Sequence, residues 1–137
     1  DGARDGMLYT PDMSRRSRGV ELWAALKSLG RPGVDALVTQ LCARASQFAD
    51  GLRHAGYNIL NSVDFNQVAV ALDSDQETLA ALSYIQESGE CWVSGASLQN
   101  RNIIRVSVCS HRTTQEDVER SIQAFADAKK KAQRVLR

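Results

Sequence analysis

The sequence contains little that would support metal or disulfide chemistry. Among its 137 residues are two histidines and three cysteines, and the cysteines Cys42, Cys91 and Cys109 show no CxxC spacing. Because they are odd in number and stand among apolar residues, they indicate buried thiols in a reducing compartment. His54 and His111 are isolated from each other and from the cysteines. The pattern therefore predicts no metal site.

Charge imbalance and long apolar runs are absent as well. The chain has 17 basic and 16 acidic residues, a formal net charge of +1, so no net field attracts it to nucleic acid or to a membrane surface. No apolar run approaches the length of a membrane span and no signal peptide is present, which makes the cytoplasm the expected location. The first residue is Asp1 rather than Met, and we expect the chain to begin inside a longer polypeptide.

What the sequence does contain is a regular succession of helix and strand signals. Residues 1–13 are irregular, with an extended piece near residues 8–10. Two helices are predicted, over about 15–29 and from Pro32 to about His54, with Gly30 ending the first. Further helices are predicted from Ser74 or Asp75 to Ser88 and after Thr113-Thr114, and strands over 57–60, 66–72, 91–94 and 102–109.

This order of elements predicts an α+β fold. Polar and apolar residues alternate in the strands, which favours an antiparallel sheet of about four strands with helices packed on one face, preceded by a helical segment. The helical periodicity predicts burial of Leu79, Leu82 and Ile85, and of the apolar residues of the last helix, Val118, Ile122, Phe125 and Leu136. Three aromatic residues stand at positions typical of a packed core rather than of a binding site: Trp23, Tyr84 and Trp92.

Arg105 is the first candidate binding residue. It lies in the alternating segment Ile103 to Val108, where Ile104 and Val106 are expected to face the helices and Arg105 the other side of the sheet. A guanidinium is always charged and its planar fork fits a carboxylate through two hydrogen bonds. A cation on the solvent side of a one-sided sheet is the alternative, and the sequence favours that plainer interpretation.

The other chemically suggestive residues have ordinary interpretations too. Ser14 precedes a predicted helix and has no visible partner base, so it reads better as a helix cap than as a nucleophile. The arginines that follow it, at positions 15, 16 and 18, could bind phosphate or be ion-paired. Lys27 and the Lys129-Lys130-Lys131 run lie where no apolar burial would lower the pKa of an amine, so none is expected to form a Schiff base.

Three segments together resemble the C-terminal part of the group II pyridoxal-phosphate-dependent amino-acid decarboxylases. This family includes the aromatic amino acid, histidine, glutamate and diaminobutyrate decarboxylases, and the resemblance covers essentially residues 8–126. The segments are Ser14-Arg15-Arg16-Ser17-Arg18-Gly19 with Trp23 and Gly30; Val63-Asp64-Phe65-Asn66-Gln67-Val68; and Cys91-Trp92-Val93-Ser94-Gly95 through Ile104-Arg105-Val106-Ser107-Val108 and Thr113-Thr114.

The resemblance implies the small C-terminal domain of a fold-type-I enzyme. Residues 1–13 would lead in from a missing large domain, residues 14–56 would form a helical connector, and residues 57–137 would form the α+β domain. The cofactor-binding lysine and the other main contacts of pyridoxal phosphate would belong to the large domain, so this chain would contain no catalytic or cofactor-binding residue. The complete protein would be a homodimer that removes the carboxylate of an L-amino acid.

Two residues match positions of the family's substrate site. Arg105 corresponds to an arginine that fold-type-I enzymes use near the substrate carboxylate, and Ser14 to a small residue that reaches into the neighbouring subunit's pocket. Gly19 departs from the animal aromatic and histidine enzymes, which leaves the identity of the amino acid open. Two other functions remain open at this point: an α+β module that binds a small anion without chemistry, and a fold-type-I aminotransferase.

Overall fold

The computed structural model describes residues 5–9 and 16–136. These divide into two compact units, residues 1–35 and residues 36–137, which are described separately. In the first unit, Gly6–Tyr9 form a short 3-10 helix. The extended piece expected near residues 8–10 is therefore wrong for Leu8 and Tyr9, and Thr10 lies outside the described residues.

Helix α1 spans Gly19–His54 and is interrupted at Gly30, whose φ of 62° and ψ of 179° are not helical. A positive φ is accessible to glycine without the steric penalty that a Cβ brings, so the predicted break at Gly30 is confirmed. The structure begins this helix at Gly19 rather than at residue 15. Within residues 19–35, Trp23 is 65% exposed, and Leu22, Leu26 and Leu29 are exposed beside it. The expectation that Trp23 packs in a core is therefore wrong.

In the second unit, the end of α1 supplies one wall of the core. Ala45, Phe48 and Leu52 follow one another at helical spacing and are buried, as the apolar stripe predicts. Gly51 lies on the same stretch of helix, and a Cβ added there would come within 2.2 Å of the Cδ1 atom of Ile122. Glycine at this position therefore lets α1 approach the helix that carries Ile122.

The sheet of the second unit has four antiparallel strands in the order β1-β2-β4-β3. Buried side chains on one face contact the helices, whereas Gln67, Arg105 and Ser107 are exposed. The predicted α+β fold class, with about four antiparallel strands, is confirmed. The strands are β1 Asn58–Ile59, β2 Gln67–Ala71, β3 Ser94–Leu98 and β4 Arg101–Ser107.

The hairpin of β3 and β4 corrects one boundary. Its turn consists of Gln99 and Asn100, with φ of 51° and 62°, which is the pair of positive φ values that a type I′ turn requires. Because the turn pairs Leu98 with Arg101, the five residues Ser94–Leu98 pair with residues of β4. The strand predicted at 91–94 therefore lies at Ser94–Leu98, and Trp92 falls in the preceding loop, 81% exposed.

Helices α2, Asp75–Ser88, and α3, Gln115–Val135, cover the buried face of the sheet. Both begin with a capping box, in which Ser74 pairs with Glu77 and Thr114 with Asp117. Ile85 is fully buried and Leu82 half-buried, as predicted. Three apolar residues predicted to be buried are exposed instead: Leu79, Trp92 and Leu136. Tyr84 is half-buried and packs against the core.

The core of this unit centres on Tyr57 and Phe125. Phe125 is fully buried, and the ring of Tyr57 meets it edge-on with 5.4 Å between the centroids. The Tyr57 hydroxyl donates a hydrogen bond of 2.9 Å to the carbonyl oxygen of Phe125. Burial raises the pKa of Tyr57 well above its ordinary value. In the two stretches 5–9 and 16–136, no helix is both long and apolar enough to cross a membrane.

Candidate functional site

Arg105 lies in the middle of β4 with its side chain exposed. Its partners in the ladder are Ala69 on β2 and Ser94 on β3, and both are too small to cover a guanidinium. No hydrogen bond or ion pair from Arg105 to any other described residue is present. The orientation predicted for Arg105 is thus confirmed, and its five N–H donors are free to meet an anion.

The strand holds Arg105 in this orientation through its neighbours. Ile104 is fully buried and Val106 is 4% exposed, so the pleat must direct the residue between them to the opposite face. A shift of β4 by one residue would exchange these faces and expose both apolar side chains. Burial on one side of the sheet therefore determines that Arg105 projects from the other side.

Ser14 and Arg15 lie outside the described residues. Arg16 forms an ion pair with Glu21, and both side chains are exposed. Of the two interpretations of the arginine cluster, the structure supports ion pairing for Arg16. The role of Ser14 in substrate binding stays a prediction.

A second feature of residues 36–137 was not found from the sequence. A cleft of about 310 Å³ lies between the end of α1, the loop before β3, the end of β4 and the start of α3, and Arg105 does not line it. Its floor is apolar and well buried, formed by Phe48, Val93, Val106 and Val108. Only the fold joins these distant segments, so no local pattern in the sequence signals the cleft.

Several polar groups of the cleft are engaged with one another. Glu90 Oε1 accepts a hydrogen bond of 2.8 Å from Nε of Arg120. Asp117 Oδ2 accepts bonds from the backbone N–H and the hydroxyl of Thr114, at 2.9 and 2.8 Å, and these hydrogen bonds hold the pKa of Asp117 below its usual range. Burial raises the pKa of the Cys91 thiol, which keeps it protonated and weakly nucleophilic.

The lysines bear on whether this chain can hold pyridoxal phosphate covalently. All four lysines are described, and Lys27 is exposed. The Lys129 Nζ atom donates to the carbonyl oxygen of Gly56 at 2.7 Å, Lys130 pairs with Asp127, and Lys131 lies over the ring of Tyr84. None of them lines the cleft or the face of Arg105. The described residues therefore do not fit a Schiff-base site for the cofactor.

Comparison with known proteins finds amino-acid decarboxylases among the relatives. No protein-family model matches the chain. The aromatic-L-amino-acid decarboxylase of Drosophila lebanonensis is 28% identical over 127 residues, which cover 89% of this chain and 32% of the relative. Histidine decarboxylase of Homo sapiens is 29% identical over 128 residues, covering 92% of this chain and 19% of the relative. The chain thus spans a third or less of the length of these curated relatives.

Solved structures agree on the fold. The TDC of Oryza sativa, in a crystal structure with PLP and tryptamine, superimposes with a TM-score of 0.78 at 16% identity, over 88% of this chain and 28% of that protein. Tryptophan decarboxylase of Catharanthus roseus, in complex with L-tryptophan, gives a TM-score of 0.76 at 18% identity, over 84% of this chain and 26% of that one. These comparisons confirm the resemblance drawn from the sequence: the chain is similar to the group II pyridoxal-phosphate-dependent amino-acid decarboxylases, and its coverage of them fits their fold-type-I C-terminal part.

Proposed function

We propose that this chain is the C-terminal portion of a pyridoxal-phosphate-dependent decarboxylase that acts on an L-amino acid. The observation that carries the proposal is the similarity to two decarboxylases over 89% and 92% of the chain. The chain would contribute part of the substrate pocket and contacts between the subunits of a homodimer, and would be inactive alone. Its domains would be a lead-in at 1–13, a connector at 14–56 and the α+β domain at 57–137.

The cofactor would be held by the rest of the protein. No lysine lines the cleft of about 310 Å³, and Lys27, Lys130 and Lys131 are exposed, which supports a Schiff-base lysine in another part of the protein. The complete protein should contain bound pyridoxal phosphate, visible in its absorption spectrum, and should release an amine from some L-amino acid. A folded, full-length protein that contains no cofactor would contradict this proposal.

Arg105 would bind the substrate carboxylate in the complete enzyme. Its guanidinium is exposed, unpaired among the described residues, and flanked by small side chains, so a carboxylate can reach both arms of the fork. An arginine that binds the departing carboxylate stabilises bound substrate as well as the transition state. We therefore expect Arg105 to lower KM more than it raises kcat.

Steady-state kinetics of amine release can test this assignment in the full-length protein. Arg105→Gln should raise KM by about 10- to 100-fold, the effect of losing a charge-assisted hydrogen bond, with a smaller change in kcat. Arg105→Lys should recover part of the affinity, because it keeps the charge and loses the fork. Arg134→Gln removes an exposed arginine of α3 and serves as the matched control. An Arg105→Gln enzyme with unchanged KM would refute the role.

Ser14 would help set the preference for the substrate side chain from the neighbouring subunit. Support for this role comes from the family motif alone. In the same assay, Ser14→Ala should change the order of preference among amino acids while bound cofactor stays constant. If the variant prefers the same amino acids in the same order as the unmodified enzyme, Ser14 does not set the substrate preference.

Two other functions remain distinguishable by experiment. The exposed Arg105 would equally suit a module that binds a small anion without chemistry, and such a protein would release no amine. A fold-type-I aminotransferase would transfer the amino group to a keto acid instead of releasing carbon dioxide.

A cytoplasmic location is part of the proposal, supported by three free cysteines.

A further inference from the structure

The cleft at the end of β4 has the composition of a small-molecule site. Its volume of about 310 Å³ lies at the lower end of the range of about 300–1,000 Å³ for ligand pockets. Phe48, Val93, Val106 and Val108 form an apolar floor, and each is at most 7% exposed. Polar side chains also line the cleft, as in pockets that hold the body of a ligand by burial and orient it through a few polar contacts.

The charges of the cleft leave one guanidinium without a partner. Two arginines and two carboxylates line it. Arg120 binds Glu90 through two nitrogens, at 2.8 and 2.5 Å. Asp117 is the third residue of α3 and closes its capping box, where the helix N-terminus also favours a negative charge. The side chain of Arg112 is exposed and has no hydrogen bond or ion pair to another described residue.

Hydroxyl groups and an indole complete the walls. Ser110 accepts a hydrogen bond of 3.1 Å from the backbone N–H of Arg112, which leaves the hydroxyl proton of Ser110 free to be donated. Trp92 lines the cleft while 81% exposed, so its ring lies at the rim. An exposed indole at the rim of an apolar cleft can cover a flat ligand and become buried in doing so.

We propose that this cleft binds a small monocarboxylate with an apolar, preferably aromatic, body. The body would lie on the floor formed by Phe48, Val93, Val106 and Val108, beneath Trp92. The carboxylate would pair with Arg112 and accept a hydrogen bond from Ser110. No amino group on the ligand is required, since both carboxylates of the cleft are already bonded. The site is separate from Arg105, which does not line the cleft, and it does not depend on the proposed decarboxylase activity.

Ligand-observed fluorine NMR on the intact protein can test the proposal, with 3-(4-fluorophenyl)propionate as the probe. The unmodified protein should bind this probe, and Arg112→Gln should weaken binding at least about tenfold, because a charge-assisted pair is lost. Arg112→Lys should recover part of that loss. The uncharged 3-(4-fluorophenyl)propanol should bind at least about tenfold more weakly than the acid.

Arg134→Gln is the matched control and should leave the affinity for the probe unchanged, because this exposed arginine of α3 lies outside the cleft. Arg105→Gln tests whether the probe binds on the face of Arg105 instead. The proposal is overturned if the probe does not bind, if the alcohol binds as well as the acid, or if Arg105→Gln weakens binding while Arg112→Gln does not. That last outcome would assign the probe to the face of Arg105 and leave the proposed function intact.

Cysteine labelling gives a second, independent measurement. Cys91 lines the cleft, whereas Cys42 on α1 does not. Bound probe should slow the reaction of iodoacetamide with Cys91 severalfold, as read by peptide mass spectrometry, and leave the rate at Cys42 unchanged. Equal rates at Cys91 with and without saturating probe would show that the ligand does not occupy the cleft.

Discussion

The buried hydroxyl of Tyr57 gives a stability difference that should reverse with pH. Its bond of 2.9 Å to the Phe125 carbonyl oxygen joins the segment before β1 to α3. Tyr57→Phe removes that bond and little else, because the ring stays in its edge-on contact with Phe125. A neutral intramolecular hydrogen bond contributes about 1 kcal/mol. At pH 8 the unmodified protein should therefore be more stable than Tyr57→Phe by about 1 kcal/mol.

Above pH 10 this advantage should disappear. Burial raises the pKa of Tyr57 in the folded state above the ordinary 10.0, so the unfolded chain loses the proton first. Stability from Tyr57 is thus fully present below the unfolded pKa and falls as pH rises above it. With the folded pKa far higher, the loss amounts to about 1.4 kcal/mol at pH 11. The stabilities of the two proteins should cross at roughly pH 10.6.

Urea unfolding of both proteins between pH 8 and pH 11 measures this difference directly. The Phe variant is the control for every other group that titrates at alkaline pH, since only Tyr57 differs. A stability gap that stays constant up to pH 11 would show that the Tyr57 hydroxyl ionises at its ordinary pKa in the folded protein. The account of a desolvated phenol would then be wrong.

Two further predictions concern the core and the helix caps. Phe125→Ala should cost about 3–5 kcal/mol of unfolding free energy, because Phe125 is fully buried. Trp92→Ala should cost less than about 0.5 kcal/mol, because Trp92 is 81% exposed. Equal losses of stability in denaturant unfolding would contradict this difference. Thr114→Ala should destabilise the protein by about 1 kcal/mol, because it removes a helix cap. It also removes the hydrogen bonds of Thr114 that lower the pKa of Asp117, so stability should fall less as pH drops through that pKa. An unchanged dependence of stability on acid pH in the same unfolding assay would count against the capping box.

The parts of the fold that depend on local chemistry were predictable from the sequence. Gly30 ends a helical segment through its backbone freedom, and Ser74 caps α2 through its side chain. The orientation of Arg105 follows from alternation with its buried neighbours. Each of these features rests on residues close together in the chain, where periodicity and capping act.

The parts that depend on pairing between distant segments were not predictable in the same way. The position of β3 is set by the turn at Gln99 and Asn100 and by its register with β4. The apolar residues before it led to a predicted strand at 91–94, which is wrong. Trp92 reads as a core residue by type but lies in a loop. The cleft near Arg112 needs α1, β4 and α3 to meet, and only tertiary packing brings them together.

The strand order also means that one strand is synthesised well before its neighbour in the sheet. Strand β2 ends at Ala71, but its inner neighbour β4 begins at Arg101. A ribosome that adds about 5–20 residues per second therefore exposes the unpaired edge of β2 for about 2–6 s before its partner emerges. During that interval the capped helix α2 is synthesised and can pack against β2, together with the end of α1. Early formation of α2 would then protect the growing chain from wrong pairings.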